Sequence, residues 1–252
     1  MIREKKPFLQ IVYECNNYLL VNKPPNVLSQ PPDSTRWFLR GIYKNQHDNS
    51  CKVLLDELRA QRFLQSKDIM EWRLVQRLDC CVTGGILIAK NKNAAACFSR
   101  NLKLGGNKGF KLKRKYVAMV QEIPDSKIHL KDYGLINKNG MISKYRRFDE
   151  NCILVELVTG KKHQVRQHLS KELKQPILND VKYSGLQIAG ADSEQIALHC
   201  AFVKTLIGQQ NREHLIPMIF RNDGTLWDRR YLEANGHFIP EIEKMLLKDW
   251  DL

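Results

Sequence analysis

Long apolar runs are missing from this chain. No stretch approaches the roughly 18 residues that a membrane-spanning helix requires, which excludes a helical membrane protein. Metal and disulfide signals are missing too. The seven cysteines are an odd count with no Cys-x-x-Cys pair, and the seven histidines offer no zinc spacing, since His163 and His168 are expected on different sides of a helix. Reduced thiols and no structural metal follow. The start, Met1 to Lys6, has no apolar segment of the secretory kind, so export is not expected, while its short basic character is compatible with organelle import. There is no Pro/Gly/Ser linker, internal repeat or low-complexity tract, and residues 1–252 read as one domain. Acidic residues are scarce: 27 Asp and Glu stand against 41 Lys and Arg, a net charge of +14.

That excess of cations favours a polyanionic partner and fast, salt-sensitive association. It is also concentrated. Lys103, Lys108, Lys111, Lys113, Arg114 and Lys115 lie in a stretch without any acid, broken by Gly105, Gly106 and Gly109, which reads as a flexible basic loop for phosphate contact or, more blandly, a solubilising segment. The chain's length and 43% hydrophobic content allow a sizeable core without disulfides or metals.

The patterning predicts strands at 8–13, 18–21, 84–90, 115–121, 152–158 and 196–205. Helices are expected at 51–64, 91–102, 163–173 and 240–247, the last opened by Pro240 at an early helical position. Asn22-Lys23-Pro24-Pro25-Asn26 should break the second strand, and residues 28–36 should form an irregular loop. Strands and helices alternate too irregularly for a doubly wound sheet, so the fold class is α+β.

Within this layout one run stands out for chemistry: Arg77-Leu78-Asp79, followed by Cys80 to Gly84 and the apolar stretch Gly85 to Ala89. It puts a carboxylate beside a cation at the lip of a buried strand, where a rigid element can hold it as a covalent nucleophile. Alone the tripeptide is a weak signal, because a surface Arg/Asp pair is usually a salt bridge of little worth.

Three further segments join it in order: Val21-Asn22-Lys23-Pro24; Lys115-Tyr116-Val117-Ala118; and Thr159-Gly160-Lys161-Lys162-His163-Gln164-Val165-Arg166-Gln167-His168. Together with Pro176-Ile177, Asp180, Tyr183 and Leu198-His199, they resemble the RluA-type family of RNA pseudouridine synthases over residues 8–205. The resemblance implies a single catalytic domain with a central mixed, largely antiparallel sheet flanked by helices and loops. It implies an isomerase that flips a uridine out of RNA, detaches uracil from ribose C1′ and reattaches it through C5. No cofactor is implied, since an isomerisation consumes none.

By the same resemblance Asp79 is the catalytic aspartate, Arg166 the arginine that pairs with it, and Tyr116 the tyrosine that stacks on the target uracil and helps move the C5 proton. Arg77 corresponds to an arginine that fills the space left by the flipped nucleotide. His163 and Gln164 are expected as scaffold groups rather than as a general base. Read without the family, Arg166 would be an exposed helical arginine, Tyr116 an ordinary strand tyrosine with its hydroxyl at the surface, and Arg77 a loop anchor. Three positions depart from the family pattern: Gln76 replaces a histidine, Val82 a threonine and Lys161 an arginine. Asn22-Lys23-Pro24 begins too early to leave room for the RNA-binding S4 domain of some relatives, so recognition falls to the catalytic domain, including Lys103 to Lys115, or to a partner.

The expected activity is RNA pseudouridine synthesis by a monomer that does not engage membranes. The compact, basic layout favours ribosomal RNA of the large subunit over transfer RNA, and mitochondrion over cytoplasm. Two rival classes remain: a catalytically silent RNA-binding or ribosome-assembly protein on the same fold, and an enzyme using aspartate covalently on another substrate. The last would need a second carboxylate about 5 Å from Asp79 or a magnesium site, and the sequence around Asp79 offers neither.

Overall fold

The computed structural model describes residues 9–31, 52–62, 69–104, 109–121, 131–219 and 226–250. Their buried side chains form a contiguous core around one large sheet. The strands are β1 (Gln10–Glu14), β2 (Tyr18–Lys23), β5 (Arg73–Leu74), β6 (Thr83–Ala89), β7 (Lys111–Met119), β8 (Tyr133–Lys138), β9 (Met141–Arg147), β10 (Cys152–Leu157), β11 (Leu198–Ile207) and β12 (Gln210–Leu215). A separate pair joins β3 (Val27–Leu28) to β4 (Lys52–Val53). The helices are α1 (Leu54–Arg62), α2 (Lys92–Leu104), α3 (Gln164–Gln167) and α4 (Pro240–Leu247). The spatial order of the sheet is β1-β2-β6-β11-β7-β10-β9-β8, with β12 on β11 and β5 on β6. Apart from the short β6–β11 contact its pairings are antiparallel, as the family resemblance implied.

That parallel contact positions the site. β11 lies against β7 along most of its length, but its other edge touches β6 only at His199 and Cys200 before passing to β12. Gly84 permits the approach: its φ is 107°, and a Cβ there would lie 2.5 Å from the backbone nitrogen of Cys200. A residue with a side chain would meet both strain and a backbone clash. Every residue of β6 is buried, which explains why its sequence is a continuous apolar run instead of an alternating one.

The structure moves several predicted boundaries. β2 continues through Asn22 and Lys23 to the prolines, because both polar side chains find buried partners. α2 starts at Lys92, with Asn91 Oδ1 accepting from the Ala94 amide at 2.8 Å as a cap. The predicted helix at 163–173 is instead a single α-helical turn followed by a wider π turn over His168–Glu172, closed by Leu173 N–H donating to His168 O. α4 has the predicted bounds. The structure adds a β8–β9 hairpin, whose Asn139-Gly140 with φ of 51° and 69° is a recognisable two-residue hairpin turn. No helix among the described residues is long and apolar enough to cross a membrane.

The expected flexible basic loop is corrected as well. α2 runs to Leu104 and β7 begins at Lys111, so Lys111, Lys113, Arg114 and Lys115 belong to a strand at the sheet's centre. The pleat sends them to opposite faces. Lys113 and Lys115 face the C-terminal segment: Lys113 pairs with Asp249 at 2.7 Å, and the fully buried Lys115 donates to the carbonyls of Leu246 and Lys248 and lies 4.6 Å from the Trp250 ring centre. Arg114 and Tyr116 take the other face. Lys108 lies outside the described residues, and Lys103 stands in α2 without a described side chain.

Candidate active site

The turn that carries Asp79 is fixed from several directions. Val82 N–H donates to Asp79 O, closing the turn ahead of β6. Ser29 brackets the preceding residue, its hydroxyl donating to Leu78 O at 2.6 Å and accepting from Leu78 N–H at 3.1 Å. Lys23 is completely buried, and its ammonium donates to the carbonyls of Pro24, Val27 and Cys80 at 2.9, 3.0 and 3.0 Å. Asn26 N–H also donates to Cys80 O, and Ile196 N–H to Cys81 O. The Asn-Lys-Pro segment, conspicuous in the sequence without an evident role, is therefore the clamp behind the aspartate.

Arg166 meets Asp79 from α3. Its Nη1 donates to Asp79 Oδ2 at 2.9 Å, while Nε and Nη2 grip both oxygens of Asp180 at 2.7 Å each. Asp180 is 1% exposed, and the Arg166 and Asp79 side chains keep 7% and 28%. A bidentate bond to a buried carboxylate fixes the guanidinium plane. Burial disfavours the charged guanidinium, but the bonds to Asp180 and Asp79 outweigh it and hold Arg166 above the usual arginine range. Asp180, 101 positions from Asp79 along the chain, is a second carboxylate near it that the local sequence does not offer. Both its oxygens are engaged by Arg166, so it orients a cation instead of acting as a second nucleophile.

His163 approaches the same Asp79 oxygen, its Nε2 at 3.7 Å, while its Nδ1 shares a proton with the Tyr183 hydroxyl at 2.8 Å. Burial lowers its pKa, with Asp79 pulling the other way. Its φ of 55° is left-handed and uncommon for a side-chain-bearing residue. That conformation turns the chain from Thr159-Gly160 into α3, where Gln164 caps the turn by accepting from Thr159 Oγ1 and Lys161 N–H. The Tyr183 ring packs against the guanidinium of Arg166, 5.0 Å from its centre.

Tyr116 faces the same region from β7 but is only 3% exposed, with its hydroxyl close to the Cys200 thiol. Burial raises its pKa well above the ordinary value, and the charge of Asp79 adds to the shift while Arg114 opposes it. The bland expectation of a surface hydroxyl is thus corrected: the phenol is buried, within reach of the Asp79 charge. Burial pushes the neighbouring Cys81 thiol up to about 11.

Of the predicted site residues, the structure pairs Asp79 with Arg166 and places Tyr116 within reach of the charges of Asp79 and of Arg114. Arg77 is exposed beside them. Lys111 and Lys113 are on the far part of β7, and Lys113 is already paired. Among the departures from the family pattern, Gln76 is buried and directs its amide to Gly85 O at 3.5 Å, Val82 is core, and Lys161 donates to Asn139 O. Of the three only Val82 meets the Asp79–Arg166 pair, and it does so through its backbone N–H on Asp79 O, not through its side chain. Among the described residues no group of three His, Cys, Asp or Glu side chains could hold a metal ion.

Comparison with known proteins bears on the family and the fold. The sequence profile of a family described as RNA pseudouridylate synthase matches residues 17–171. A relative from Saccharomyces cerevisiae, the 21S rRNA pseudouridine(2819) synthase, is 43% identical over 98% of this chain and 98% of its own. The protein of that name from Eremothecium gossypii is 40% identical over 96% of this chain and 88% of its own. In the solved structure of human RNA Pseudouridylate Synthase Domain Containing 1 the fold recurs with a TM-score of 0.61 at 18% identity, covering 98% of this chain and all of that one.

Proposed function

The chain belongs to the RNA pseudouridylate synthase family and is an RNA pseudouridine synthase; from that premise we propose that it isomerises a uridine of large-subunit ribosomal RNA, acting as a monomer in the mitochondrion. The relatives' 21S name supports the substrate and the compartment.

In this reading Asp79 engages ribose C1′ as the N1–C1′ bond breaks, and the freed uracil turns so that C5 bonds to C1′. The C5 proton then leaves and N1 is protonated, which balances the isomerisation without a cofactor. One observation carries the assignment: the guanidinium of Arg166 is locked on buried Asp180 and presents its remaining edge to Asp79 at 2.9 Å. Such a group holds an anion in place without reorganising during the reaction. Within the described contacts His163 and Arg166 both address Oδ2, so Oδ1 is the oxygen turned to the sugar. Tyr116 underlies the base and Arg77, exposed at the turn, faces the helix that the uridine leaves. Lys162 and Lys182, both exposed with charges that reach His163, supply backbone attraction at the rim.

The test is to incubate the protein with mitochondrial ribosomal RNA and with transfer RNA and map pseudouridine. A product in the large-subunit RNA that vanishes in Asp79→Ala supports the proposal. Product confined to transfer RNA removes the substrate assignment, and RNA binding without product from the unaltered protein removes the activity.

A further inference from the structure

Arg114 is a buried cation that no acid answers. It is 4% exposed, and no ion pair or hydrogen bond from the described residues engages its guanidinium. The contrast with its neighbours is sharp. Lys113 and Lys115, on the opposite face of β7, are met by Asp249, Glu156 and backbone carbonyls, and Arg166 holds two carboxylates. A desolvated charge without a partner is unfavourable, so a fold that buries Arg114 this way has left its counter-charge to come from outside.

The structure also shows where that anion enters. The Nε of Arg114 is sealed without a partner, whereas Nη1 and Nη2 are not, so the residual exposure lies at the tip of the fork. Above the tip sits exposed Gly160. A Cβ at position 160 would lie 3.3 Å from Nη2 and 3.4 Å from Nη1 and meets nothing else within 3.4 Å. Gly160 does not adopt a left-handed φ, so its backbone makes no demand for glycine. What the missing side chain provides is an opening over the guanidinium. The same turn leads directly to His163 and Arg166. Arg114 also lies two residues before Tyr116 on one face of the strand, and the charges of Arg114 and Asp79 both act on the Tyr116 hydroxyl.

We propose that the Arg114 guanidinium, reached through the gap at Gly160, is a socket for one phosphate of the substrate RNA, the phosphate attached to the nucleotide whose base lies over Tyr116. This rests on the reading of the chain as an RNA pseudouridine synthase. A planar fork with two free N–H edges suits a phosphodiester, which it grips with two parallel bonds. It also replaces the diffuse contact expected of a mobile basic loop with a single contact of fixed position, which would set the depth to which the flipped nucleotide enters.

The experiment compares binding of a mitochondrial large-subunit ribosomal RNA transcript in the Asp79→Ala background, where no turnover occurs, across a range of salt. Arg114→Gln removes the charge, and Gly160→Val leaves the arginine but closes the gap. Each is expected to weaken binding about tenfold at physiological salt. Each should also lower the slope of log affinity against log salt by about 0.7 to 0.9, the signature of one lost phosphate contact. If either variant folds and keeps the full slope, the socket is wrong; should Arg114→Gln fail to fold, Gly160→Val decides alone. Pseudouridine formation by the otherwise unaltered protein is measured in parallel. Failure of the parent reading shows as no product from that protein, and failure of the socket alone shows as normal product with unaltered slopes.

Discussion

The ammonium of Lys23 donates to the carbonyl of Cys80 at 3.0 Å, joining the end of β2 to the residue after Asp79 across a separation of 57 positions. Two other carbonyls, of Pro24 and Val27, share the same ammonium. The aspartate is thus held from behind by a charge that no solvent reaches, and this makes the turn part of the rigid scaffold.

Replacing that lysine by methionine keeps the volume and removes the donors. Three acceptors, two of them in buried bonds, lose charge-assisted partners, so Lys23→Met should destabilise the fold by about 2 kcal/mol, read from the urea midpoint. Pseudouridine formation should fall further than stability explains, because Asp79 is no longer pinned. Unchanged kcat in the folded fraction would show that the clamp has no part in positioning.

Asp180→Asn tests how Arg166 is oriented. The amide keeps the shape but loses the charge that two guanidinium edges share at 2.7 Å. Breaking one side of a buried pair costs about 3 kcal/mol of stability. Because small misplacements of a charge partner are expensive for chemistry, kcat should drop by about 10- to 100-fold while RNA affinity stays within about threefold. Loss of affinity in place of kcat would assign the pair to binding.

Tyr183→Phe separates ring from hydroxyl. The ring remains over Arg166, whereas the 2.8 Å bond to His163 Nδ1 disappears. Loss of one such bond, about 1 kcal/mol, corresponds to a roughly fivefold lower kcat with KM for RNA unchanged. Activity equal to that of the unaltered protein would confine Tyr183 to packing.

His199 gives a pH signature in stability. It is fully buried between the Thr83 hydroxyl and Ile216 O; the carbonyl can only accept, so Nε2 carries the proton and Nδ1 accepts from Thr83. Burial lowers its pKa from 6.5 to about 4. The unfolded chain therefore binds a proton that the folded chain refuses within that window. Stability should be fully present above about pH 6.5, decline as pH falls toward 4 by about 3 kcal/mol, and show no further loss from this group below it. Urea unfolding from pH 7 to 4 measures the decline, and His199→Gln should flatten it.

The residues that could be recognised before the structure were those whose neighbours along the chain carry the signal. The all-apolar run before Lys90, the proline opening α4 and the ordered motifs around Asp79, Tyr116 and Arg166 are local patterns, and they yielded the α+β class, the family and the groups proposed to react. Local pattern misled where tertiary partners decide. A glycine-broken run of cations read as a loop, yet β7 forms there because Lys113 and Lys115 find Asp249, Glu156 and the C-terminal carbonyls far along the chain.

What the sequence determined by itself is the family and the candidate groups: a carboxylate on a buried strand's edge, an arginine after a glycine turn and a tyrosine in a strand. Only the tertiary structure decided that Asp180 fixes the plane of that arginine, that Lys23 braces the aspartate from behind, and that Arg114 is buried with its fork open at Gly160. Composition and spacing record which groups exist, but burial and pairing depend on distances between segments far apart in the chain. Those distances arise only when β6, β7 and β11 pack side by side.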